Sequence, residues 1–165
     1  MQTTSQEPWS GLCGATRLSD NRRFDYAYDA FDRRVARFER NSSGTTLNTD
    51  VFVLDGWETI AVYRNNSLNR RVVPGMFLDQ PLLIQPTTGQ PNYPYYDLLG
   101  NVAGTVTGTG GGTHGERYEY DVYGNAKVFN ASGTLVCDQA TTTGACNAAV
   151  EFGFNGQPRD PETGL

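Results

Sequence analysis

The residues of this sequence that could bind a phosphate group or a nucleotide lie in one glycine-rich stretch. Gly110, Gly112 and Gly115 have the Gly-x-Gly-x-x-Gly spacing of dinucleotide-binding loops. In such loops a helix follows and directs its N-terminus at the pyrophosphate. Here residues 116–122 alternate as a β-strand does. We therefore interpret the spacing as accidental and predict no cofactor.

The single histidine and the three cysteines do not complete a metal site. His114 has no second histidine or Cys-x-x-Cys pair beside it to make up a zinc ligand set, so we predict no bound metal and an exposed imidazole. Cys137 and Cys146 bracket eight residues rich in threonine and glycine, and a disulfide between them is one prediction. The alternative is two unpaired thiols. Cys13 is the odd cysteine.

Length and composition restrict the class of protein. A chain of 165 residues is long enough for one domain with a core, and 19 glycines with 8 prolines favour turns over a helical bundle. The net charge of -5 argues against nucleic acid and anionic membrane surfaces as partners. No apolar run is long enough to insert into a membrane. All but one of the 13 basic residues are arginine, which suits fixed structural hydrogen bonds.

The hydrophobic pattern predicts an all-β protein. Residues 24–29 alternate aromatic and polar side chains with the period of a half-buried strand. The pair Asp55-Gly56 is typical of a tight hairpin turn. Four prolines make residues 81–94 an irregular or edge segment. Further strands are predicted at residues 51–54, 58–64, 70–73, 95–97, 102–106, 116–122 and 126–129.

A short repeat connects several of these strands. Its pattern is Tyr-Asp-x-x-Gly followed by arginine or asparagine and an apolar residue. The tyrosine offers a packing surface, the aspartate can accept backbone N–H groups, and the glycine takes a positive φ where the chain reverses. A divergent copy is proposed at residues 53–56. The copies carry Tyr28 and Asp29; Tyr96, Asp97 and Gly100; and Tyr120, Asp121 and Gly124.

Each copy predicts one β-hairpin. A lone hairpin is marginal in water, so consecutive antiparallel hairpins must pair side by side into an extended, curved sheet. Asp32 stands where the other copies have glycine, which predicts a different turn type there. We predict a poorly ordered lead over residues 1–23 and hairpin repeats over residues 24–150.

At these residues the sequence resembles the RHS or YD-repeat family. The three Tyr-Asp copies carry part of the resemblance, and the C-terminal string over residues 154–165, which contains Arg-Asp-Pro-Glu-Thr-Gly-Leu, carries the rest. That string is similar to the start of the RHS repeat-associated core, here truncated over residues 151–165. The resemblance covers about residues 24–165.

The resemblance implies a segment of a bacterial toxin shell. In such proteins the hairpins wind as one spiralling β-sheet around a C-terminal toxin or effector domain, and the core region releases that cargo by autoproteolysis. By resemblance, Arg159 and Asp160 match the first Arg-Asp of the proteolytic motif. An aspartyl mechanism needs two carboxylates at one water, so Asp160 alone is not expected to cleave.

Three functions follow as hypotheses. The first is a structural shell segment that encloses and helps deliver a downstream cargo, secreted or at the cell surface by resemblance. The second is a carbohydrate-binding or adhesion module in which Tyr96 or Trp57 stacks on sugar rings. The third is part of a self-cleaving protease. As an isolated segment the chain is expected to self-associate through its open sheet edges or to need the rest of the shell.

Overall fold

The computed structural model describes residues 4–6, 13–17, 20–108 and 112–140, and this part of the chain is built from antiparallel β-strands. It contains no helix, which confirms the all-β prediction. Accordingly, none of these residues forms a helix long and apolar enough to cross a membrane. The chain divides into two units, Met1–Arg70 and Arg71–Leu165.

The first unit is a meander in which each strand pairs with the next one along the chain. Its pairs are antiparallel throughout, and the strand over residues 34–40 is paired along its length with both of its neighbours. The strands are β1 (Thr4–Gln6), β2 (Cys13–Arg17), β3 (Arg22–Tyr28), β4 (Arg34–Arg40), β5 (Thr46–Asp55) and β6 (Glu58–Arg64). Strand β7 (Ser67–Val73) spans the boundary between the units.

The second unit repeats this arrangement. Its strands also pair antiparallel in chain order, each with the next. They are β8 (Leu83–Pro86), β9 (Asn92–Tyr96), β10 (Val102–Thr107), β11 (Thr113–Tyr120), β12 (Ala126–Phe129) and β13 (Leu135–Asp138). The predicted side-by-side pairing of consecutive hairpins is therefore present in each unit.

Aromatic side chains form the core of the first unit. Phe24 and Tyr26 are buried with Ala15 from β2, and Tyr28 packs against them. The guanidinium of Arg34 lies 4.5 Å from the centre of the Tyr26 ring, a cation–π contact that covers the cluster. The alternation that predicted a strand over residues 24–29 thus reflects a real packed face.

The core of the second unit comes from three neighbouring strands. Val102, Tyr118, Ala126 and Val128 are buried together, and the motif tyrosines Tyr96 and Tyr120 pack against them with Cys137. These tyrosines also satisfy their polar ends, since Tyr96 Oη donates to the Pro81 carbonyl at 2.8 Å and Tyr120 Oη to the Val102 carbonyl at 3.0 Å.

Two segments differ from expectation. The segment 81–94, predicted to be irregular or an edge strand, contains β8 and most of β9, and Pro94 lies buried within β9 opposite Thr105. Toward β8, strand β9 forms a single register pair, Ile84 with Asn92, so β9 resembles an edge strand on that side and a proline is tolerated. Within the predicted lead, β1 and β2 continue the sheet of the first unit, since β2 pairs with β3.

Candidate functional site

The three Tyr-Asp turns share one backbone geometry. At Asp97, the backbone N–H donates to the Asn101 carbonyl at 2.9 Å, and the Gly100 N–H donates to the Asp97 carbonyl at 3.1 Å. The same two bonds occur at Asp29 and Asp121. This is a three-residue hairpin loop, a type I turn followed by one residue with positive φ.

The aspartate side chain closes each turn from inside. Asp97 Oδ1 accepts the N–H groups of Leu99 at 2.8 Å and Asn101 at 2.9 Å, while Oδ2 accepts the Asn101 side-chain amide at 2.7 Å. Asp121 makes the equivalent three bonds, at 2.8, 2.9 and 2.7 Å. At Asp29 the guanidinium of Arg33 replaces the amide, with Nε 2.8 Å from Oδ2. Both carboxylate oxygens are therefore committed to the turn itself.

These bonds set the charge state of the three carboxyls. The side-chain hydrogen bond from Arg33 lowers the pKa of Asp29 below its ordinary value, and those from Asn101 and Asn125 do the same for Asp97 and Asp121. Desolvation raises each pKa, but the side-chain bond together with the backbone N–H groups outweighs it. The motif aspartates are thus ionised hydrogen-bond acceptors at neutral pH, a structural role.

The first turn keeps the shared geometry although it lacks the glycine, so the prediction of a different turn type was wrong. Gly100 and Gly124 have φ values of 84° and 85°, and Asp32 has a φ of 59° at the same place. A short polar side chain tolerates this conformation better than most residues, at a cost of roughly 1 kcal/mol. The Arg33 to Asp29 ion pair stabilises the turn in compensation.

Two further turns have the same geometry with asparagine in place of aspartate. The polar sequence indicates a turn at each, but their likeness to the Tyr-Asp turns was not predicted. Asn41 Oδ1 accepts the N–H groups of Ser43 at 3.1 Å and Thr45 at 2.8 Å, and also the Ser43 hydroxyl at 2.7 Å. Asn130 makes the matching bonds with Ser132 and Thr134. The available signal was the shared Asn-x-Ser-Gly-Thr sequence over residues 41–45 and 130–134.

The proposed copy at residues 53–56 is a different kind of turn. Asp55 belongs to β5 and pairs with Glu58, which leaves a two-residue loop of Gly56 and Trp57. Gly56 has a φ of 60° at the first loop position, as a type II′ turn requires, so the reversal lies one residue later than the Asp55-Gly56 pair predicted. Arg33 Nη1 donates to the Gly56 carbonyl at 2.5 Å and joins this loop to the Asp29 turn.

A second set of polar residues lies on the strands of the first unit. Its arginines make the fixed bonds that the composition indicates, but their carboxylate partners were not predicted. Asp50 is 2% exposed and lies directly opposite Arg37 on β4 and Arg64 on β6. Arg37 Nη2 is 2.5 Å from Asp50 Oδ2, and Arg64 Nε is 2.7 Å from Oδ1. Burial raises the pKa of Asp50, but the hydrogen bonds from Arg64 and Arg37 outweigh it and hold the pKa below its ordinary value.

Two more carboxylates of this unit are arranged in a similar way. Asp25, 4% exposed, is held by Arg23 at 2.6 Å and Arg40 at 2.9 Å. Glu39 accepts hydrogen bonds from Arg22 and from the Asn48 amide. Each carboxylate is charge-paired and hydrogen-bonded, which is the condition for burying it at low cost. None is left free for acid–base chemistry.

Several predicted residues stand apart from these arrangements. His114 lies exposed on β11 opposite Val106, and the part of the chain that the structure describes holds no cluster of metal-ligating side chains. Cys137 is disulfide-bonded, which excludes the alternative of a free thiol there. Its predicted partner Cys146 lies outside the described residues, as do the predicted Arg159 and Asp160.

Of the two aromatic rings expected to bind sugar, Trp57 is exposed and Tyr96 is not. Tyr96 is half-buried and its hydroxyl is engaged with Pro81, so its ring belongs to the core. Trp57 is 66% exposed and Phe31 is 69% exposed, both at turns of the first unit.

Comparison with known proteins adds no identification: no protein-family model matches the chain, and no curated protein is significantly similar to it.

Proposed function

We propose that this chain is a structural segment of an RHS-type repeat shell that encloses and helps deliver a toxin or effector domain encoded further along the same polypeptide. Such a shell is secreted or displayed at the cell surface, where its cargo acts. The resemblance of the Tyr-Asp repeats and of the C-terminal string to that family suggested this function. The hairpin architecture is consistent with it.

One observation carries the proposal: the motif residues are consumed in building hairpins. The Asp97 and Asp121 carboxylates bond to their own turns, and the Tyr96 and Tyr120 rings pack into the core. When the polar atoms of the motif are satisfied within five residues, the motif aspartate has no free acceptor left for a substrate. The repeat therefore builds a length of β-sheet, and a sheet of this kind is suited to separating two compartments.

The test is a protection experiment on the natural polypeptide that contains this segment and whatever follows it. Limited proteolysis of the intact protein should leave the downstream domain uncut while that domain is digested when expressed alone. The double variant Asp97→Ala, Asp121→Ala should open the wall and make the cargo cleavable. Asp55→Asn, at an exposed position outside the shared turn, is the matched control.

Two results would count against a containing wall. One is a downstream domain digested equally fast in the intact protein and alone. The other is a natural chain that carries no further domain and melts sharply as a monomer. Self-cleavage stays a separate prediction, tested by whether Asp160→Asn abolishes any cut in the longer polypeptide.

Carbohydrate binding is the second candidate, and one observation favours it. Trp57 and Phe31 are both exposed, and Arg33 lies 5.4 Å from the Phe31 ring centre while it also contacts the Trp57 loop. Flat rings beside a multi-donor cation suit a sugar face and its hydroxyls. Glycan-array binding that disappears in Trp57→Ala, with the thermal melt unchanged, would support this function over a shell segment. Tyr96→Ala is unsuitable because it removes core packing.

A further inference from the structure

The second unit has one apolar edge and one polar edge. In an antiparallel meander, alternate connections lie at the same end of the strands. The connection into β8 and the turns joining β9 to β10 and β11 to β12 therefore form one edge. Their tips carry Met76, Phe77 and Leu78; Leu98 and Leu99; and Val122 and Tyr123.

These tip side chains are far more exposed than an isolated apolar residue normally is. Leu98 is 105% exposed, Met76 93%, and Tyr123 88%, and the remaining four lie between 61% and 87%. At the opposite edge, the turns at residues 87–90 and 130–134 carry threonine, glutamine, asparagine and serine. The two edges thus differ in chemistry although they share a turn geometry at Asp97, Asp121 and Asn130.

The three tips form one row. Turns at the same edge are two strands apart, which is about 10 Å. The connections that carry the first and second tips approach each other, because the Gln80 side chain reaches so close to Gly100 that an added Cβ there would lie 2.8 Å from Gln80 Nε2. An apolar row of this length is not a scatter of single residues but a patch of the kind that marks an interaction site.

From this contrast we infer that the row of turn tips at Met76–Leu78, Leu98–Leu99 and Val122–Tyr123 is a docking surface that pairs with the same row of a second copy of this chain. A two-fold axis would set row against row, as isologous interfaces do. This inference does not depend on the proposed shell, and it uses turn tips rather than the unpaired strand edges.

The area of the row is close to what a stable dimer needs. Phe77 and Tyr123, at 68% and 88% exposed, offer roughly 300 Å² if a full aromatic side chain is about 200 Å². The five aliphatic side chains add roughly 400 Å² at about 100 Å² each. The total approaches the ~800 Å² that each partner buries in an interface of ordinary size.

The charges behind the row favour a protein over a lipid bilayer. Asp97 and Asp121 lie directly beside the tips, and none of the described lysines or arginines forms an ion pair with either. Immersing two such carboxylates in hydrocarbon is costly, whereas at a protein interface they can remain at a solvated rim. The polar edge of a second copy is not a suitable partner for the apolar row. Its asparagine and serine side chains would lose their hydrogen bonds to water and would find no donors or acceptors on the row to replace them.

Sedimentation velocity on the 165-residue chain over a range of concentrations tests the inference. We expect a monomer–dimer equilibrium that the double variants Leu98→Ser, Leu99→Ser and Val122→Ser, Tyr123→Ser each weaken about tenfold or more. Ala131→Ser, at the matching position of the Asn130 turn on the polar edge, should leave the equilibrium unchanged. Far-UV circular dichroism verifies that each variant is folded.

A photo-crosslinking amino acid gives a second readout that needs no loss of apolar surface. Placed at Leu98 it should yield a covalent dimer, and placed at Ala131 it should yield none. A monomer at every concentration, a dimer unaffected by both double variants, or equal crosslinking from both positions would overturn the inference. Co-flotation with phosphatidylcholine vesicles that both double variants abolish would also overturn it, in favour of lipid.

Discussion

The two units bury different chemistry beneath the same strand arrangement. In the first, carboxylates at Asp25 and Asp50 are buried and each lies between two guanidinium groups. In the second, the buried side chains are uncharged: apolar ones such as Val102 and Val128, together with Thr105 and Asn101. A hairpin meander therefore does not dictate how its faces are stabilised. Burying an ion pair costs desolvation free energy, and its contribution to stability depends on pH. Apolar packing has no such cost and no such pH dependence, so the two units should unfold under different conditions.

Acidification should produce the largest difference between the units. Asp20, Asp29, Glu39 and Asp50 of the first unit have lowered pKa values, about 2 for Asp20, whose chief cause is the hydrogen bond from Arg17. A carboxyl with a lowered folded pKa stabilises the fold above its unfolded pKa, and that stability is lost as the pH falls through the folded value. The first unit should therefore loosen progressively below about pH 5.

Amide hydrogen exchange can follow both units in one sample. As the pH falls, and after correction for the intrinsic exchange rate, protection should decrease earlier at Val62 on β6 than at Val102 on β10. Asp97 and Asp121 also lose hydrogen bonds in acid, but they lie at exposed turns outside the apolar cluster. Simultaneous loss of protection at Val62 and Val102 would mean that the two units do not differ in this way.

Removing one buried carboxylate should have the next largest effect. Asp50→Ala leaves Arg37 and Arg64 facing each other without an anion between them. Breaking a buried ion pair by removing one partner costs about 3–5 kcal/mol, so we expect that loss in the free energy of unfolding of the first unit. Urea denaturation measures it. Asp20→Asn at the exposed Arg17 pair is the control, with an expected loss under about 1 kcal/mol.

An apolar truncation in the second unit should cost less and should be insensitive to pH. Val128 is 1% exposed within the core cluster, and Val128→Ala removes two methyl groups and leaves a small cavity. The expected loss is about 2 kcal/mol. Denaturation at pH 7 and pH 4 should give the same difference between wild type and variant. A pH-dependent difference would show that charge also stabilises this core.

The smallest effect should be a gain in stability at the first turn. Asp32 has the positive φ that glycine supplies at Gly100 and Gly124. Asp32→Gly removes that strain and should stabilise the first unit by about 1 kcal/mol, less the backbone entropy that glycine adds to the unfolded chain. Thermal denaturation measures the gain. A loss of stability would indicate that the Asp32 side chain makes a stabilising contribution of its own.

The strands and the repeated turn were predictable because both depend on local rules. Period-two alternation identified β3, and the Tyr-Asp spacing identified the turns at Asp97 and Asp121. The hydrogen bonds of these turns lie within five residues, so sequence alone contains what they need.

The buried ion pairs were not predictable because they depend on register between strands. Asp50 meets Arg37 and Arg64 only when three strands are aligned, and residues 13 and 14 positions away supply its partners. By itself an aspartate in an alternating strand indicates a solvent-exposed face. The strand that contains Pro94 was predicted only from residue 95 onward. Its start could not be located from the sequence for a similar reason, since the short register toward β8 depends on tertiary structure.

The self-contained turn at Asp97, Asp121 and Asn130 has a consequence for how such a chain can grow. Because five consecutive residues supply every donor and acceptor of the turn, a tandem duplication of the coding segment would carry the whole bend with it. The flanking strands could then diverge in length and outward chemistry without breaking the reversal. A gene built this way can be lengthened by copying, and its tips can be altered one hairpin at a time.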